Sequence, residues 1–396
     1  MPNDPIMARR NYAGRAIFSF GFRPFFLFGA VWAALSPLLW MHAYAGGNER
    51  VGAAPALAWH IHEMLFGYLA AIVAGFLLTA VPNWTGRLPV RGWPLAGLFV
   101  LWAAGRAAML LYAELGLAAA VADCAFLVVL TALLGREVIT GGNTKNFPVI
   151  ALVGLFALAN IGFHASLTFD FDWRPAQGAA IAVIALLIAL IGGRIVPSFT
   201  RNWMVQKGQT HLPAPTGWYD KVSLVTLGVA LGSWVLVPFS SLTGALLLIA
   251  GGLHAVRLLR WRGWRTVAEP LVSVLHLGYL WLPAALILMG VSVIAPSTLA
   301  SSTALHALTA GAMGTMTLAV MTRASLGHTG RERKANFWTS LIYVLVFVGA
   351  LIRVAAPLVV PQHQVLALLI SAGVWSGAFG LFVICYGPML LLPRKA

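Results

Sequence analysis

Long runs of apolar residues, separated by short polar loops, follow one another along the chain. A helix needs about 20 apolar residues to cross a membrane, and twelve runs approach this length. The pattern therefore predicts an all-α fold, a polytopic membrane bundle of about twelve transmembrane helices. The predicted spans lie near residues 25–45, 58–82, 93–112, 114–135, 147–167, 176–199, 218–240, 242–260, 271–295, 299–322, 337–356 and 364–391.

Composition supports a membrane protein. Of 396 residues, 60% are hydrophobic and 9% are charged, whereas soluble domains carry about 25% charged residues. The net charge of +15 would suit nucleic acid, but the basic residues lie in short loops and not on one soluble face. We therefore expect lipid contact, no nucleic-acid partner, and a single integral membrane domain over residues 1–396.

The distribution of basic residues predicts an orientation. With a cytoplasmic N-terminus, the outer loops contain only Arg50 and Arg174. The inner segments then contain 21 basic residues: Arg9, Arg10, Arg15, Arg23, Arg87, Arg91, Arg136, Lys145, Arg201, Lys207, Lys221, Arg257, Arg260, Arg262, Arg265, Arg323, Arg331, Arg333, Lys334, Arg394 and Lys395. Because cytoplasmic loops are enriched in Lys and Arg, we expect both termini to be cytoplasmic.

The inner ends of three predicted spans resemble one another. Val81-Pro82-Asn83-Trp84-Thr85 in span 2 resembles Val196-Pro197-Ser198-Phe199-Thr200 in span 6. Aligning His306 of span 10 with His62 of span 2 also aligns Gly311 with Gly67 and Thr329-Gly330-Arg331 with Thr85-Gly86-Arg87. Either these matches arise by chance or the chain has three four-helix repeats, an arrangement like the three arcs of haem–copper oxidases.

Five histidines lie in or beside the apolar runs: His60, His62, His164, His276 and His306. Ionisable residues at membrane depth usually mark functional sites, and imidazole is a common ligand of transition metals and haem iron. Residues two apart in a regular helix point about 200° apart, so one ion cannot bind both His60 and His62 unless His60 lies in the preceding loop. We expect His62 and His306 to bind haem. We expect His60 to face a second metal, with His164 and His276 as further ligands.

Copper suits an imidazole-rich second centre, and Glu63 could orient a ligand or carry a proton. Arg106 and Asp123 fall at similar depths in the hairpin of spans 3 and 4, so we predict a buried ion pair, either structural or part of a proton route. Arg194 and Arg323, at the inner ends of spans 6 and 10, could bind lipid phosphate or haem propionates.

Several motifs resemble one known family. They are Phe22-Arg23-Pro24-Phe25-Phe26, Trp59-His60-Ile61-His62-Glu63-Met64-Leu65-Phe66-Gly67, Gly75-Phe76-Leu77-Leu78-Thr79-Ala80-Val81-Pro82-Asn83-Trp84-Thr85-Gly86, Gly192-Gly193-Arg194-Ile195-Val196-Pro197-Ser198-Phe199-Thr200 and Arg323-Ala324-Ser325-Leu326-Gly327-His328-Thr329-Gly330-Arg331. Together they resemble the NnrS family. The resemblance implies a bacterial inner-membrane protein that contains haem and copper and is linked to nitric oxide, denitrification and nitrosative stress.

The function expected from this resemblance is the handling of nitric oxide, with its reduction at a haem–copper site and an unidentified electron donor. The haem is expected to be b-type and non-covalent, because the chain has no Cys-x-x-Cys-His motif. Two other classes stay open. One is a non-catalytic nitric oxide binder or sensor, and the other is a transporter of metal, haem or a small molecule.

Overall fold

The computed structural model describes residues 12–51 and 54–394. The predicted inner charges Arg9, Arg10 and Lys395 lie outside the described residues. The helices are α1 (Phe22–Ala45), α2 (Ala56–His62), α3 (Ala70–Thr85), α4 (Trp93–Leu110), α5 (Tyr112–Leu115), α6 (Leu117–Thr140), α7 (Phe147–Phe169), α8 (Arg174–Leu187), α9 (Gly193–Gln206), α10 (Trp218–Leu236), α11 (Ser241–Arg260), α12 (Pro270–Ile294), α13 (Ser301–His306), α14 (Gly314–His328), α15 (Phe337–Val359) and α16 (Gln364–Leu391). Two short antiparallel strands, β1 (Arg50–Val51) and β2 (Ala54–Pro55), follow α1.

The described residues form a polytopic all-α membrane protein, as predicted. Eleven helices in this part of the chain are long and apolar enough to cross a membrane. The twelfth predicted span corresponds to α10, which is not one of those eleven. Helix α10 begins with polar residues, since Asp220 and Lys221 lie in its first turn.

Three of the long helices are interrupted by π-helical segments, in which backbone hydrogen bonds join residues five apart. They are π1 (Glu63–Leu69), π2 (Ile188–Gly192) and π3 (Ala307–Met313). Helix α2 ends at His62 directly before the seven-residue π1, and α13 ends at His306 directly before the seven-residue π3. The aligned glycines Gly86 and Gly330 both have positive φ, 71° and 76°. Spans 2 and 10 therefore share local structure in the register that the sequence repeat predicts.

The chain forms two compact units, each described separately. The first comprises the described part of Met1–Ala180 with Met321–Glu332 and Phe379–Ala396. In this unit the buried Arg23 donates to the carbonyl oxygens of Leu390 and Leu392 at the end of α16, at 2.9 and 2.6 Å. Cations stabilise helix C-termini in this way. The end of α16 is thus fixed to the start of α1.

The second unit comprises Ile181–Val320 and Arg333–Ala378. Its helices α11 and α12 approach closely because glycines lie between them. A Cβ atom at Gly290 would contact the carbonyl oxygen of Gly244, and one at Gly251 would contact Ile287. Small residues let membrane helices pack backbone to backbone. That the whole chain behaves as one domain, and that its helices form three arcs, stay predictions.

Candidate metal centre

Three buried side chains of the first unit converge on one point. His62 is the last residue of α2, Asp123 lies in α6, and His164 lies in α7. Asp123 Oδ2 is 3.0 Å from His62 Nε2 and 3.0 Å from His164 Nε2, and the two Nε2 atoms are 3.2 Å apart. Their exposed fractions are 0%, 2% and 2%. This is the group of potential metal ligands that the described residues contain, and we call it the His62 cluster.

A ring of charged contacts surrounds the His62 cluster. Glu63 Oε1 is 3.0 Å from His62 Nδ1, and its other oxygen accepts from Trp32 Nε1 at 2.6 Å. Arg106 Nη1 donates to Glu63 Oε2 at 2.7 Å, and Arg106 Nη2 donates to Asp123 Oδ1. The ion pair predicted between Arg106 and Asp123 is therefore present. Arg106 also bridges the two carboxylates, which the sequence did not predict.

Two glycines make room for this ring. A Cβ atom at Gly67 would meet Arg106 Nη1 and Glu63 Oε2, and one at Gly105 would meet Asp123 Oδ1. Any larger residue at these positions would displace a charged group. Gly67 lies in π1, and its carbonyl oxygen accepts from Trp102 Nε1 at 2.8 Å. The glycines and the π-helical segment thus position the charged side chains.

The arrangement calls for a positive charge beside His62 Nε2. Nδ1 of His62 faces Glu63, and a carboxylate only accepts hydrogen bonds, so Nδ1 carries the proton in a neutral ring. The Nε2 lone pair of that ring then points at Asp123 Oδ2. Glu63, Asp123 and Arg106 together carry a net charge of −1, and a buried charge requires compensation. Either a bound cation or a second proton on His62, whose ring would then donate to both Glu63 and Asp123, would provide it.

The distances are compatible with a metal ion. Hydrogen bonds from both imidazoles to Asp123 Oδ2 would give the same 3.0 Å, but three potential ligand atoms around one point are also the arrangement of a metal site. Ligand atoms about 2.0–2.1 Å from one ion at tetrahedral angles lie about 3.3 Å apart, close to the 3.0–3.2 Å of the His62 cluster. Two imidazoles and one carboxylate suit copper, zinc or iron, and intrinsic affinity favours copper. The contact of His62 Nδ1 with Glu63 is the outer-shell hydrogen bond typical of metal-bound histidines.

The histidines are grouped differently from the sequence prediction. His60 stacks on Trp40, with ring centroids 4.4 Å apart, and does not belong to the His62 cluster. The two neighbouring histidines thus face different surroundings, as helix geometry predicts. His164, expected beside His60, instead contacts His62, whose ring also lies against Phe163 of α7. His276, the other expected partner of His60, lies in the second unit, where its Nε2 is 2.7 Å from Thr200 Oγ1.

His306 is held by two contacts in the second unit. Its Nδ1 is 2.6 Å from the carbonyl oxygen of Ser302, and its Nε2 is 3.0 Å from Arg353 Nη2. A carbonyl oxygen only accepts and a guanidinium only donates. Nδ1 therefore carries the proton, and the Nε2 lone pair accepts from Arg353. The pairing of His306 with His62 on one haem stays a prediction.

A second buried polar cluster was not predicted. Arg257 donates to Asp220 Oδ1 at 2.8 Å and, at 2.9 Å each, to Tyr279 Oη and the carbonyl oxygen of Ala189 in π2. Tyr279 Oη is 2.7 Å from His254 Nδ1. Arg257 was counted among the inner-loop charges, but it is 2% exposed. The sequence does contain one indication of this cluster. Asp220 is an acidic residue near the start of another apolar run, and a carboxylate there could pair with Arg257.

The remaining two candidates, Arg194 and Arg323, lie in different surroundings. Arg194 is exposed near the start of α9, whereas Arg323 is half-buried in α14. Neither residue belongs to the His62 cluster. Their assignment to lipid phosphate or haem propionates stays a prediction.

The family model described as NnrS protein matches residues 16–394, nearly the whole chain. No curated protein and no solved structure matches.

Proposed function

The chain belongs to the NnrS family, and on that premise we propose that it handles nitric oxide at protein-bound copper and haem. The observation that carries the proposal is the convergence of His62 Nε2, Asp123 Oδ2 and His164 Nε2 within hydrogen-bonding distance of one another. These three donor types fit the copper that the family resemblance implies. Copper in the His62 cluster would supply a one-electron redox centre and a Lewis acid.

The surrounding residues have distinct tasks. Glu63 orients the His62 ring, so that Nε2 and not Nδ1 faces the ion. Arg106 holds both carboxylates and offsets one of their two charges. The remaining charge of −1 attracts a cation in a site where burial strengthens electrostatic interactions.

Aromatic rings make the surroundings of the His62 cluster apolar. The rings of Phe66 and Phe163 lie 5.3 and 5.7 Å from the His62 ring, and Tyr112 stacks on His164 at 6.1 Å. Such a site excludes water. Nitric oxide is small and weakly polar, so it partitions into lipid and can pass the aromatic rings that surround the His62 cluster.

The proposal includes location and orientation. We place the protein in the bacterial inner membrane with both termini in the cytoplasm, because the basic residues concentrate in alternate loops. In that orientation Tyr112, in the short helix α5 that joins spans 3 and 4, faces the periplasm. Because Tyr112 stacks on His164, the proposal puts the His62 cluster on the periplasmic side of the membrane.

The reaction we propose is the reduction of nitric oxide to nitrous oxide and water, with electrons and protons supplied by an external donor and solvent. Pure binding of nitric oxide, sensing, or transport of metal or haem are the alternatives. Haem is the second cofactor of the proposal. Because the proposal assigns His62 to copper, we assign iron to His306 alone, as argued below.

The test uses purified full-length protein in detergent, with metal content and nitric oxide removal measured together. Wild-type protein should contain copper and remove nitric oxide steadily when a reductant is present. Asp123→Asn and His164→Ala should lose copper and this activity, whereas His363→Ala, which changes an exposed histidine, should behave as wild type. If the protein takes up nitric oxide stoichiometrically but does not turn it over, it is a nitric oxide binder and not an enzyme. Full copper content in both cluster variants would refute the assigned site.

A further inference from the structure

The two histidines that precede π-helical segments each meet an arginine from a later helix. Arg106 contacts Glu63, the neighbour of His62, across 43 residues of chain, and Arg353 contacts His306 across 47 residues. We call His62 with Arg106 the first station and His306 with Arg353 the second station. The similar spacing adds to the sequence repeat that aligns the two histidines.

The local structures of the two stations also correspond. In each, the histidine ends an α-helix and a seven-residue π-helical segment begins at the next residue. In each, the glycine five residues after the histidine makes room for a large neighbour: a Cβ at Gly67 would meet Arg106, and one at Gly311 would meet Trp281. The two stations are thus related versions of one local design.

Charge distinguishes the stations. Glu63 follows His62, and Asp123 completes that cluster, whereas Ala307 follows His306. In the first station Arg106 donates to carboxylates. In the second station Arg353 donates directly to the imidazole Nε2 at 3.0 Å. The first station is therefore suited to a bare cation, and the second to a ligand that carries negative charge.

The imidazole of the second station is prepared for a metal. Its Nδ1–H donates to the Ser302 carbonyl at 2.6 Å, which fixes the ring and leaves the Nε2 lone pair as the ligand atom. Metal-bound histidines almost always donate their other N–H in this way. Both His306 and Arg353 are partly exposed. A guanidinium binds carboxylates with strong, charge-assisted hydrogen bonds.

We propose that His306 Nε2 is an axial ligand of haem iron and that Arg353 binds a propionate carboxylate of the same haem. Arg353, which donates to His306 Nε2 in this structure, would then donate to the propionate and leave Nε2 to the iron. The two related stations thus divide the cofactors by charge, with copper at the acidic one and haem at the basic one. This inference rests on the proposed function only in taking haem as the second cofactor.

The test is titration of haem-free, full-length protein with hemin, followed by the Soret band. His306→Ala should weaken hemin binding at least about tenfold. Arg353→Met should weaken it severalfold while leaving the shape of the Soret band unchanged, because the iron ligand is still present. His42→Ala and Arg174→Met, which change exposed residues, serve as matched controls with wild-type binding.

A ligand exchange separates a lost ligand from a misfolded protein. His306→Cys should convert the ferric electron paramagnetic resonance spectrum to that of a thiolate-bound haem. A structural role for His306 would not produce this change. Unchanged hemin affinity in His306→Ala, or a wild-type spectrum in His306→Cys, would overturn the inference.

Copper content, measured on the same samples, separates this inference from the proposed function. His306→Ala should keep its copper, and Asp123→Asn should lose copper while binding hemin as the wild type does. If Asp123→Asn keeps full copper, the proposed copper site fails, but the result with His306 still decides the haem site. Suppose instead that Asp123→Asn loses hemin binding and His306→Ala binds hemin normally. Haem would then belong to the first station, and the assignment of copper and haem to separate stations would be refuted.

Discussion

His62 and His164 bring their Nε2 atoms to 3.2 Å although 102 residues separate them in the chain. Two imidazole nitrogens and one carboxylate oxygen at these distances can share one metal ion, whereas without an ion the rings would donate hydrogen bonds to Asp123. Both residues lie in the first unit and are almost fully buried. This contact is the basis for assigning a metal to the His62 cluster.

Gly67→Ala should destabilise the protein and lower its copper content. The added Cβ would collide with Arg106 and Glu63, and overpacking of this kind costs about 1–3 kcal/mol. The control is Gly97→Ala in α4, where nothing lies within 4 Å of the new Cβ. Thermal unfolding in detergent should show a lower melting temperature for Gly67→Ala. Equal melting temperatures for the two variants would speak against a close-packed cluster.

Arg106→Gln should be more damaging than Asp123→Asn. Removing the guanidinium leaves both Glu63 and Asp123 without their shared partner, and breaking a buried pair costs about 3–5 kcal/mol. In Asp123→Asn, Arg106 keeps its contact with Glu63. The double variant should recover part of the stability lost in Arg106→Gln. The comparison is the melting temperature of all three variants, and additive losses would contradict contact between Arg106 and Asp123.

Tyr279→Phe should lower stability without changing either cofactor. The substitution removes the hydroxyl between Arg257 and His254, and unsatisfied buried polar groups cost about 1–3 kcal/mol. Tyr44→Phe is the matched control, because Tyr44 is exposed. Melting temperature reports on a structural role of Tyr279, whereas copper content and hemin binding report on a role in a cofactor site. Loss of a cofactor in Tyr279→Phe would show that this cluster belongs to a functional site.

Cysteine labelling should confirm the proposed orientation. In a background without Cys124 and Cys385, the two free cysteines, a new cysteine at Arg174 should react with a membrane-impermeant maleimide on intact spheroplasts. A new cysteine at Lys207 should react only after the membrane is broken. Both positions are exposed in the structure. The opposite pattern would place the termini outside.

The sequence predicts the membrane bundle well because hydrophobic run length is a local property. It also predicts the Arg106–Asp123 pair, since both residues fall at similar depth in one short hairpin. The sequence also predicts the similarity of spans 2 and 10, because aligning His62 with His306 brings further identical residues into register. These predictions succeed because the residues concerned are close enough along the chain for their sequence separation to limit their distance in the fold.

The sequence does not predict which helices meet. His164 was expected near His60, but the contact with His62 depends on the packing of α2, α6 and α7, which spacing does not encode. The π-helical segments are equally hidden, because one extra residue in a turn leaves hydrophobic periodicity almost unchanged. The contact of Arg353 with His306 is likewise not predictable from their spacing of 47 residues.

The most direct test of the metal assignment is electron paramagnetic resonance of the copper-loaded protein. Copper(II) in wild-type protein should show splitting from two imidazole nitrogens, one from His62 and one from His164. His164→Ala should show splitting from one nitrogen, and Asp123→Asn should change the copper hyperfine coupling. A spectrum that is identical in wild type, His164→Ala and Asp123→Asn would contradict a metal centre at these residues.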